Sequence, residues 1–360
     1  MPEPIDNPLL AALQRSVPLV DCPFDQIGRE IGASGDSVLQ RVGELRRSGI
    51  IREISGIFDA AALGYRQTLV AVAVPPHRLD DAGALAAEHP GVSHCYGRDG
   101  AYNLWFTLAV SPASRLGLDK TAAVLANTCG ANDYLSLPTL RMFKLQVQFG
   151  EGGRCADPQI EPAPALRITR QTRAANGPVE GHVMAAVAPP STATRPPLTT
   201  RQVQAVRALQ ADLPPCTQPF KPLARQADMS VAELLDAGQE LLQCGAMRRY
   251  AAVLRHQLVG AAANVLVVWR VESDQVQQAA AVCRQMRPVS HCYLRPAAAN
   301  WPYNLYTMIH GPTRDACQAT IARLAAQADL QDHCELWTLK EYKKSRIRLF
   351  TGDEQAWEES

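Results

Sequence analysis

Apolar residues recur along this chain at a helical period, then at a strand period, and the whole succession happens twice. In the first stretch the spacing is helical. Residues 9–15 predict a short helix, Phe24, Ile27 and Ile31 line a second, and Val38, Val42 and Leu45 line a third. Ser34 precedes that third helix, where its hydroxyl can take a free backbone N–H, and Gly49 follows it as a left-handed stop. Residues 50–54 then start a wing strand, closed by residues 61–65. This predicts a winged helix-turn-helix over residues 1–64. From residue 65 the pattern changes. Residues 68–74 form an unbroken apolar strand ended by Pro75-Pro76; residues 80–88 predict a helix; 92–98 and 103–110 form a hairpin around Asp99-Gly100; 113–126 predict a helix; 133–140 predict a last strand; and 143–149 leave the module. A β-α-β-β-α-β order with both helices on one face is a ferredoxin-like α+β module, here over residues 65–149.

Periodicity lapses over residues 150–197, which are rich in Pro and Gly and read as a linker. It then resumes. Thr199-Thr200 caps a helix, residues 222–227 form a second, Ser230 caps a third carrying Leu234, Leu235, Leu241 and Leu242, Gly245 stops it, and 248–254 form the wing. That gives a second winged helix-turn-helix over residues 198–256. Segments 265–271, 274–286, 289–295, 304–309, 313–326 and 333–339 repeat the α+β module over residues 257–350. The chain therefore reads as a tandem duplication.

One polar strip marks both copies. His94-Cys95-Tyr96-Gly97-Arg98 precedes Tyr102-Asn103-Leu104-Trp105, and His291-Cys292-Tyr293-Leu294-Arg295 precedes Tyr303-Asn304-Leu305-Tyr306. The module ends match too: Thr139-Leu140-Arg141-Met142-Phe143-Lys144 against Thr338-Leu339-Lys340-Glu341-Tyr342-Lys343. Alternate residues of a strand share a face. His94, Tyr96 and Arg98 therefore project together, as do His291, Tyr293 and Arg295, while Cys95 and Cys292 turn to the helix-covered side.

Composition narrows what that strip can do. The chain has 360 residues, 47% hydrophobic and 20% charged, with a net charge of +1, so any basic site is local rather than a global field. No basic leader with an apolar core opens the chain, and no run is long enough for a membrane helix. The expectation is a cytoplasmic protein. Its ten cysteines show no Cys-x-x-Cys spacing and read as reduced, mostly buried thiols. DNA binding needs a cationic recognition helix. The first candidate, residues 34–48, sets Arg41, Arg46 and Arg47 against Asp36 and Glu44; the second, residues 230–244, carries Glu233, Asp236 and Glu240 with no Lys or Arg. An acidic helix repels phosphate, which argues against a regulator. No Gly-rich phosphate loop, His-Glu-x-x-His or Gly-x-Ser-x-Gly is present.

Two facing strips would form a cleft of imidazoles, phenols and guanidiniums, suited to an anionic, partly aromatic ligand. Arginine forks bind carboxylates, and histidine can transfer a proton near neutral pH. Arg248, Arg249, Arg255 and His256 on the second wing, Lys343, Lys344 and Arg346 in the tail, and Arg141 and Lys144 in the first tail supply a basic rim. A lone strand histidine is usually structural, but packing alone rarely demands the same His, Tyr and Arg twice. Tyr102 and Tyr303, with Asn103 and Asn304, serve equally well to fix the hairpins. His77, His89, His182, His310 and His333 have no repeated counterpart and read as surface or core residues.

These residues resemble the siroheme decarboxylases of the Lrp/AsnC-like type. Residues 1–150 resemble the D-type subunit through Arg52-Glu53-Ile54-Ser55-Gly56-Ile57-Phe58-Asp59, Leu63-Gly64-Tyr65, His94-Cys95-Tyr96 and Leu137-Pro138-Thr139. Residues 198–350 resemble the L-type subunit through Arg248-Arg249-Tyr250-Ala251-Ala252-Val253-Leu254-Arg255-His256, His291-Cys292-Tyr293 and Trp301-Pro302-Tyr303-Asn304. The chain then looks like a D–L fusion. The resemblance implies a carboxy-lyase of heme d1 or alternative heme biosynthesis. Its substrate would be siroheme, losing CO2 from the C12 and C18 acetates to give 12,18-didecarboxysiroheme. It implies His291 and His94 as catalytic residues, either of which could meet the substrate iron. Arg248, Arg249, Arg255, Arg295, Arg98, Tyr293, Tyr96, Tyr303 and Lys343 would bind substrate, with no cofactor beyond the substrate iron. The halves would pair as a pseudo-dimer, sister subunits could assist, and the longer hairpin and basic wing point to the second half as the main site. A DNA-binding regulator of the same fold and a non-catalytic haem-binding protein are the alternatives.

Overall fold

The computed structural model describes residues 6–145, 197–254 and 263–360. In the first half, α1 (Asp6–Arg15), α2 (Pro23–Ile31) and α3 (Gly35–Arg47) form the helix-turn-helix, followed by β1 (Ile51–Phe58). The Ser34 hydroxyl accepts from the Ser37 N–H, and Gly49 sits at φ 76°, so both ends of α3 form as the sequence dictates. The α+β module comprises β2 (Arg66–Ala73), α4 (Leu79–Glu88), β3 (Val92–Arg98), β4 (Leu104–Val110), α5 (Gly117–Thr128) and β5 (Asp133–Leu137). After Pro138 a further strand, β6 (Arg141–Leu145), departs.

The second half repeats the order with α6 (Thr200–Leu209), α7 (Phe220–Gln226), α8 (Val231–Gln243), β7 (Met247–Leu254), β8 (Ala263–Trp269), α9 (Val276–Gln285), β9 (Val289–Leu294), β10 (Leu305–Gly311), α10 (Arg314–Ala328) and β11 (His333–Lys344). Thr199 and Ser230 each complete a capping box, with Gln202 and Glu233. A last helix, α11 (Asp353–Glu359), carries no apolar periodicity of its own, and the sequence pattern does not announce it.

The expected wings are not hairpins within each half. β1 pairs antiparallel with β7, Ile54 opposite Ala252, so one ribbon joins both halves. The helix-turn-helix units share one core above it. Leu9, Leu13, Ile27 and Val42 pack into the same cluster as Leu209, Phe220, Leu234 and Tyr250. The exchange is reciprocal: Val17 N–H donates to Tyr250 O, and Leu213 N–H donates to Ile54 O.

The modules exchange strands as well. β6 adds to β9 of the second module, and the C-terminal half of β11 adds to β3 of the first. All nine strands of the two modules thus run in one order, β5-β2-β4-β3-β11-β8-β10-β9-β6. Each module keeps its own helix-side core, around Cys95, Phe106 and Leu125 in the first and Cys292, Trp269 and Leu324 in the second. A third cluster, with Trp105, Leu137, Val268, Trp301, Tyr306 and Leu336, joins the open faces of the two sheets. The repeated module ends are therefore the exchanged strands. Tyr342 fits over Gly83, where an added Cβ would lie 2.5 Å from its ring, and its hydroxyl donates to Asp80 at 2.7 Å.

The long loop before β10 also crosses between halves. Trp301 is buried among Trp105, Tyr102 and Tyr303 and donates from Nε1 to Tyr306 at 2.8 Å. Asn300 Nδ2 donates to Tyr102 at 2.7 Å and to Asp133 at 2.9 Å. The tail after β11 returns to the first half. Glu354 accepts from Ser111 N–H, Glu358 from Arg115 N–H, and Trp357 meets His89 edge-on at 4.3 Å. The expected helix over 113–126 begins only at Gly117, whose φ of 72° interrupts any helical run from 113, and the Glu358 carboxylate accepts from the Arg115 and Leu116 N–H groups ahead of it. Among the described residues no helix is long and apolar enough to cross a membrane.

Candidate functional site

The parity expected for the strips holds. In β3, Cys95 enters the helix-side core while His94 pairs in register with Thr107 and Tyr96 with Trp105 on the open face. In β9, Cys292 is buried, and His291 lies opposite Met308 and Tyr293 opposite Tyr306. Tyr96 stacks beside His94 at 6.3 Å, and Tyr293 beside His291 at 5.9 Å.

The two catalytic candidates come together. Burial is the main cause that pushes His291 down to about 4, and repulsion from His310 and His94 adds to it. His94 is lowered by burial and by Lys344, with Glu341 opposing. Both imidazoles are tied at Nδ1, His291 to the Tyr293 hydroxyl at 3.0 Å and His94 to the Ser93 hydroxyl at 3.0 Å. Nε2 is the atom each can present to a ligand.

His310 was not expected here. It lies on β10, two residues beyond Met308 on the same face, and its Nε2 meets the Ser290 hydroxyl at 2.9 Å. Its proton affinity is lowered by burial, then by Lys344 and Arg98. Its first-half counterpart, six residues after the repeated Asn, is Ala109, so comparing the copies could not find it.

A basic track leads away from the histidines. Lys344 is in register with His94. Arg346 lies 3.0 Å from Glu53 on the ribbon and is lowered by burial, with Glu53 opposing and Arg52 and Arg249 adding to the lowering. Lys344, Arg346, Arg249 and Arg52 thus extend from the seam of the modules to the ribbon beneath the helix-turn-helix units.

Several expected ligand-binding residues do other work. Arg248 pairs with Asp59 at 2.8 Å. Lys343 donates from Nζ to Ala87 O at 2.6 Å and His89 O at 3.0 Å, closing the C-terminal end of α4 on the helix side. β11 shifts register between Thr338 and Lys340 and between Glu341 and Lys343. The second shift puts Lys343 beside Cys95 and leaves Lys344 beside His94. Lys144 does the same for α9, donating to Cys283 O and Met286 O, and Leu145 takes the place of Lys344 opposite His291. Tyr303 packs on Trp301 at the hairpin end, away from the histidines.

Arg98 and Arg295 are not open forks. Arg98 is buried and donates to Leu336 O at 2.9 Å and to the Thr338 hydroxyl at 3.0 Å. Arg295 is buried and donates to Leu137 O, with its guanidinium 5.2 Å from the Tyr293 ring. Each bonds the backbone of the opposite module, and burial pushes each down to about 10. Nε of each has no hydrogen-bond partner. They act beneath the strips as fixed positive charge. Asn103 and Asn304 fix the hairpins, each bonding both backbone groups of one residue, Val74 and Val271. Arg255 and His256 lie outside the described residues.

Two of the three cations of the first recognition helix are also engaged internally, and Arg47 is exposed. Arg41 pairs with Asp6 and Glu44, and Arg46 with Asp212. An open pocket of about 590 Å³ lies between the helix-turn-helix units, lined by Cys22, Cys216, Lys221 and Arg225, remote from the histidines.

Comparison with known proteins places this geometry. Two family models match, each in both halves: an AsnC-like ligand binding domain at residues 62–144 and 258–343, and a siroheme decarboxylase NirDL-like HTH domain at residues 6–52 and 203–248. The chain is similar to a siroheme decarboxylase of Hydrogenobacter thermophilus, 30% identical over 97% of this chain and 96% of the relative. A half-length relative, the siroheme decarboxylase beta subunit of Desulfovibrio desulfuricans, is 39% identical over 41% of this chain and 92% of its own length. Among solved structures, siroheme decarboxylase NirDL in complex with an iron-uroporphyrin III analogue superposes with a TM-score of 0.76 at 27% identity, covering 98% of this chain and 97% of that one.

Proposed function

This chain belongs to the siroheme decarboxylase family, and from that premise we propose that it removes CO2 from the C12 and C18 acetates of siroheme, giving 12,18-didecarboxysiroheme, in the cleft between His94 and His291. The observation that carries the reading is the meeting of the two repeated imidazoles beside a track of cations, Lys344, Arg346, Arg249 and Arg52. A macrocycle edged with carboxylates needs such a track, and its flat ring suits the Tyr96 and Tyr293 rings that flank the histidines.

The chemistry follows from the environment. CO2 leaves most readily when the acetate is held in apolar surroundings and no salt bridge repays its desolvation. Met308, Leu145 and Tyr293 around His291 provide that setting, while Lys344 marks the His94 side for a carboxylate that is to be kept. The electron-poor macrocycle takes up the charge, and a proton completes the methyl group. His94 and His291 offer Nε2 to the macrocycle from fixed positions. Arg249 and Arg255 bind peripheral carboxylates, and Arg98 and Arg295 stabilise the polyanion through their field. The reaction uses no cofactor beyond the iron of the substrate. The two halves work as a pseudo-dimer in the cytoplasm, as D-type and L-type parts of one chain, and sister subunits can join them.

The test is to add siroheme anaerobically to the purified chain and follow the product by mass. Successive losses of one and two CO2 support the proposal. Siroheme bound with its mass unchanged would make the chain a carrier or sensor.

A further inference from the structure

We propose that His310 is a further catalytic residue of this cleft, the group that hands a proton to the carbon left behind when CO2 departs; the assignment rests on the decarboxylase reading above. Three imidazoles gather at the seam, and their hydrogen bonds set them apart. His94 and His291 are both anchored through Nδ1, to Ser93 and Tyr293. His310 is anchored through Nε2, to the Ser290 hydroxyl at 2.9 Å. Ser290 has one hydroxyl proton and donates it to Met308 O at 3.3 Å. With that proton on Met308 O, the Ser290 oxygen is an acceptor for His310, an arrangement in which Nε2 carries the hydrogen and Nδ1 is the nitrogen left to take up and release a proton.

Position supports the role. His310 shares the open face of β10 with Met308, which lies opposite His291. Facing it are Lys344 from β11 and Arg98 from β3, with His291 and Ser290 from β9 and Asn264 in register on β8. Without ligand, these cations and burial keep the ring neutral. A macrocycle edged with carboxylates reverses the local field, so the proton arrives with the substrate. The bond between the methylene and carboxylate carbons then breaks, and the electron pair stays on the methylene carbon, spread into the ring. The Nδ1–H bond of His310 breaks as the new C–H bond forms, CO2 leaves, and the imidazole regains a proton from water. One proton is consumed per CO2.

The first half bears Ala109 at the matching position of β4, so His310→Ala installs in β10 the residue that its counterpart strand carries. Turnover of siroheme is followed by mass, and affinity by absorption titration with iron uroporphyrin. Loss of a general acid typically lowers turnover by about 10²–10⁴-fold. His310→Ala should fall in that range, keep its affinity within about threefold, and recover part of its turnover with added imidazole. His310→Gln, whose amide can keep the Ser290 bond, should lose as much. The proposal is overturned if either variant turns over at nearly the wild-type rate, or if affinity falls in step with turnover. A wild-type chain that binds iron uroporphyrin and releases no CO2 refutes the decarboxylase reading itself, and this role with it.

Discussion

Lys343 and Lys344 are adjacent in β11 and so point to opposite faces, and a bulge decides which of them lies on the side of His94, which gives a paired test of the site. Lys343→Met removes two charge-assisted hydrogen bonds to the end of α4. A hydrogen bond to a charged group contributes ~1.5–3 kcal/mol. Lys343 is only half-buried, and water can replace part of that bonding. The expected loss is therefore about 1–2 kcal/mol, a few degrees in Tm for a chain of this size. Lys344→Met removes an exposed charge beside His94. Two unit charges about 4 Å apart in water-like surroundings attract by ~1 kcal/mol, so the Kd for iron uroporphyrin should rise roughly five- to tenfold. The assays are thermal or urea unfolding and absorption titration at low and high salt. Lys343→Met should unfold earlier and bind normally. Lys344→Met should unfold normally and bind more weakly, with a difference that shrinks as salt screens the charge. If Lys343→Met weakens binding tenfold while Lys344→Met does not, the bulge has been misread and the cleft lies on the other face.

Other expectations follow from the same geometry. Trp301→Ala should cost ~3–5 kcal/mol, the usual range for a buried Trp, because Trp301 fills the space between the modules; unfolding midpoints measure it, and an unchanged midpoint would remove the loop from the interface. His89 and His291, both pushed down to about 4 by burial, bind protons more readily when unfolded. Their contribution to stability is present above about pH 6.5 and is lost as pH falls towards 4; His89→Gln should flatten that acid limb in unfolding measured across pH. Arg346→Ala removes a cation from the track while leaving α4 and the hairpins intact, so the Kd for iron uroporphyrin should rise about tenfold with little change in midpoint. With Arg41 and Arg46 of α3 engaged internally, only Arg47 exposed there, and α8 bearing no cation, duplex DNA should show no tight, sequence-specific shift at physiological salt.

Much of the fold was legible because periodicity, caps and stops agree. Ser34, Gly49, Thr199 and Ser230 act at the positions expected of them. The duplication and the outward turn of His94 and His291 also followed from the order of residues. Pairing partners did not. Residues 51–58 look like a wing in any sequence reading, since a strand does not name its neighbour, and only the far half shows that β1 meets β7. Register was the second loss. Lys343 and Lys344 both read as tail cations of the rim, and the shift after Glu341 sets Lys343 beside Cys95 and Lys344 beside His94. Arg98 and Arg295 looked like carboxylate forks because their partners, backbone carbonyls of the opposite module, have no sequence signature. His310 was set aside because it lacked a repeated partner. Repeats expose what both copies share, and a residue that makes the copies unequal is invisible to them.

The exchanged strands bear on how such a chain is made. β6 is synthesised with the first module but has nowhere to pair until β9 exists, and the first module lacks its edge strand until β11 emerges at the far end. The first half cannot finish folding during its own synthesis, so its maturation waits on the last strand to be translated. Carrying both parts in one polypeptide fixes their stoichiometry at one to one, and it replaces a concentration-dependent encounter by an intramolecular one. Two identical halves cannot meet first and trap the wrong combination. Organisms that encode the parts separately must control their relative dosage; here a single ribosome does so.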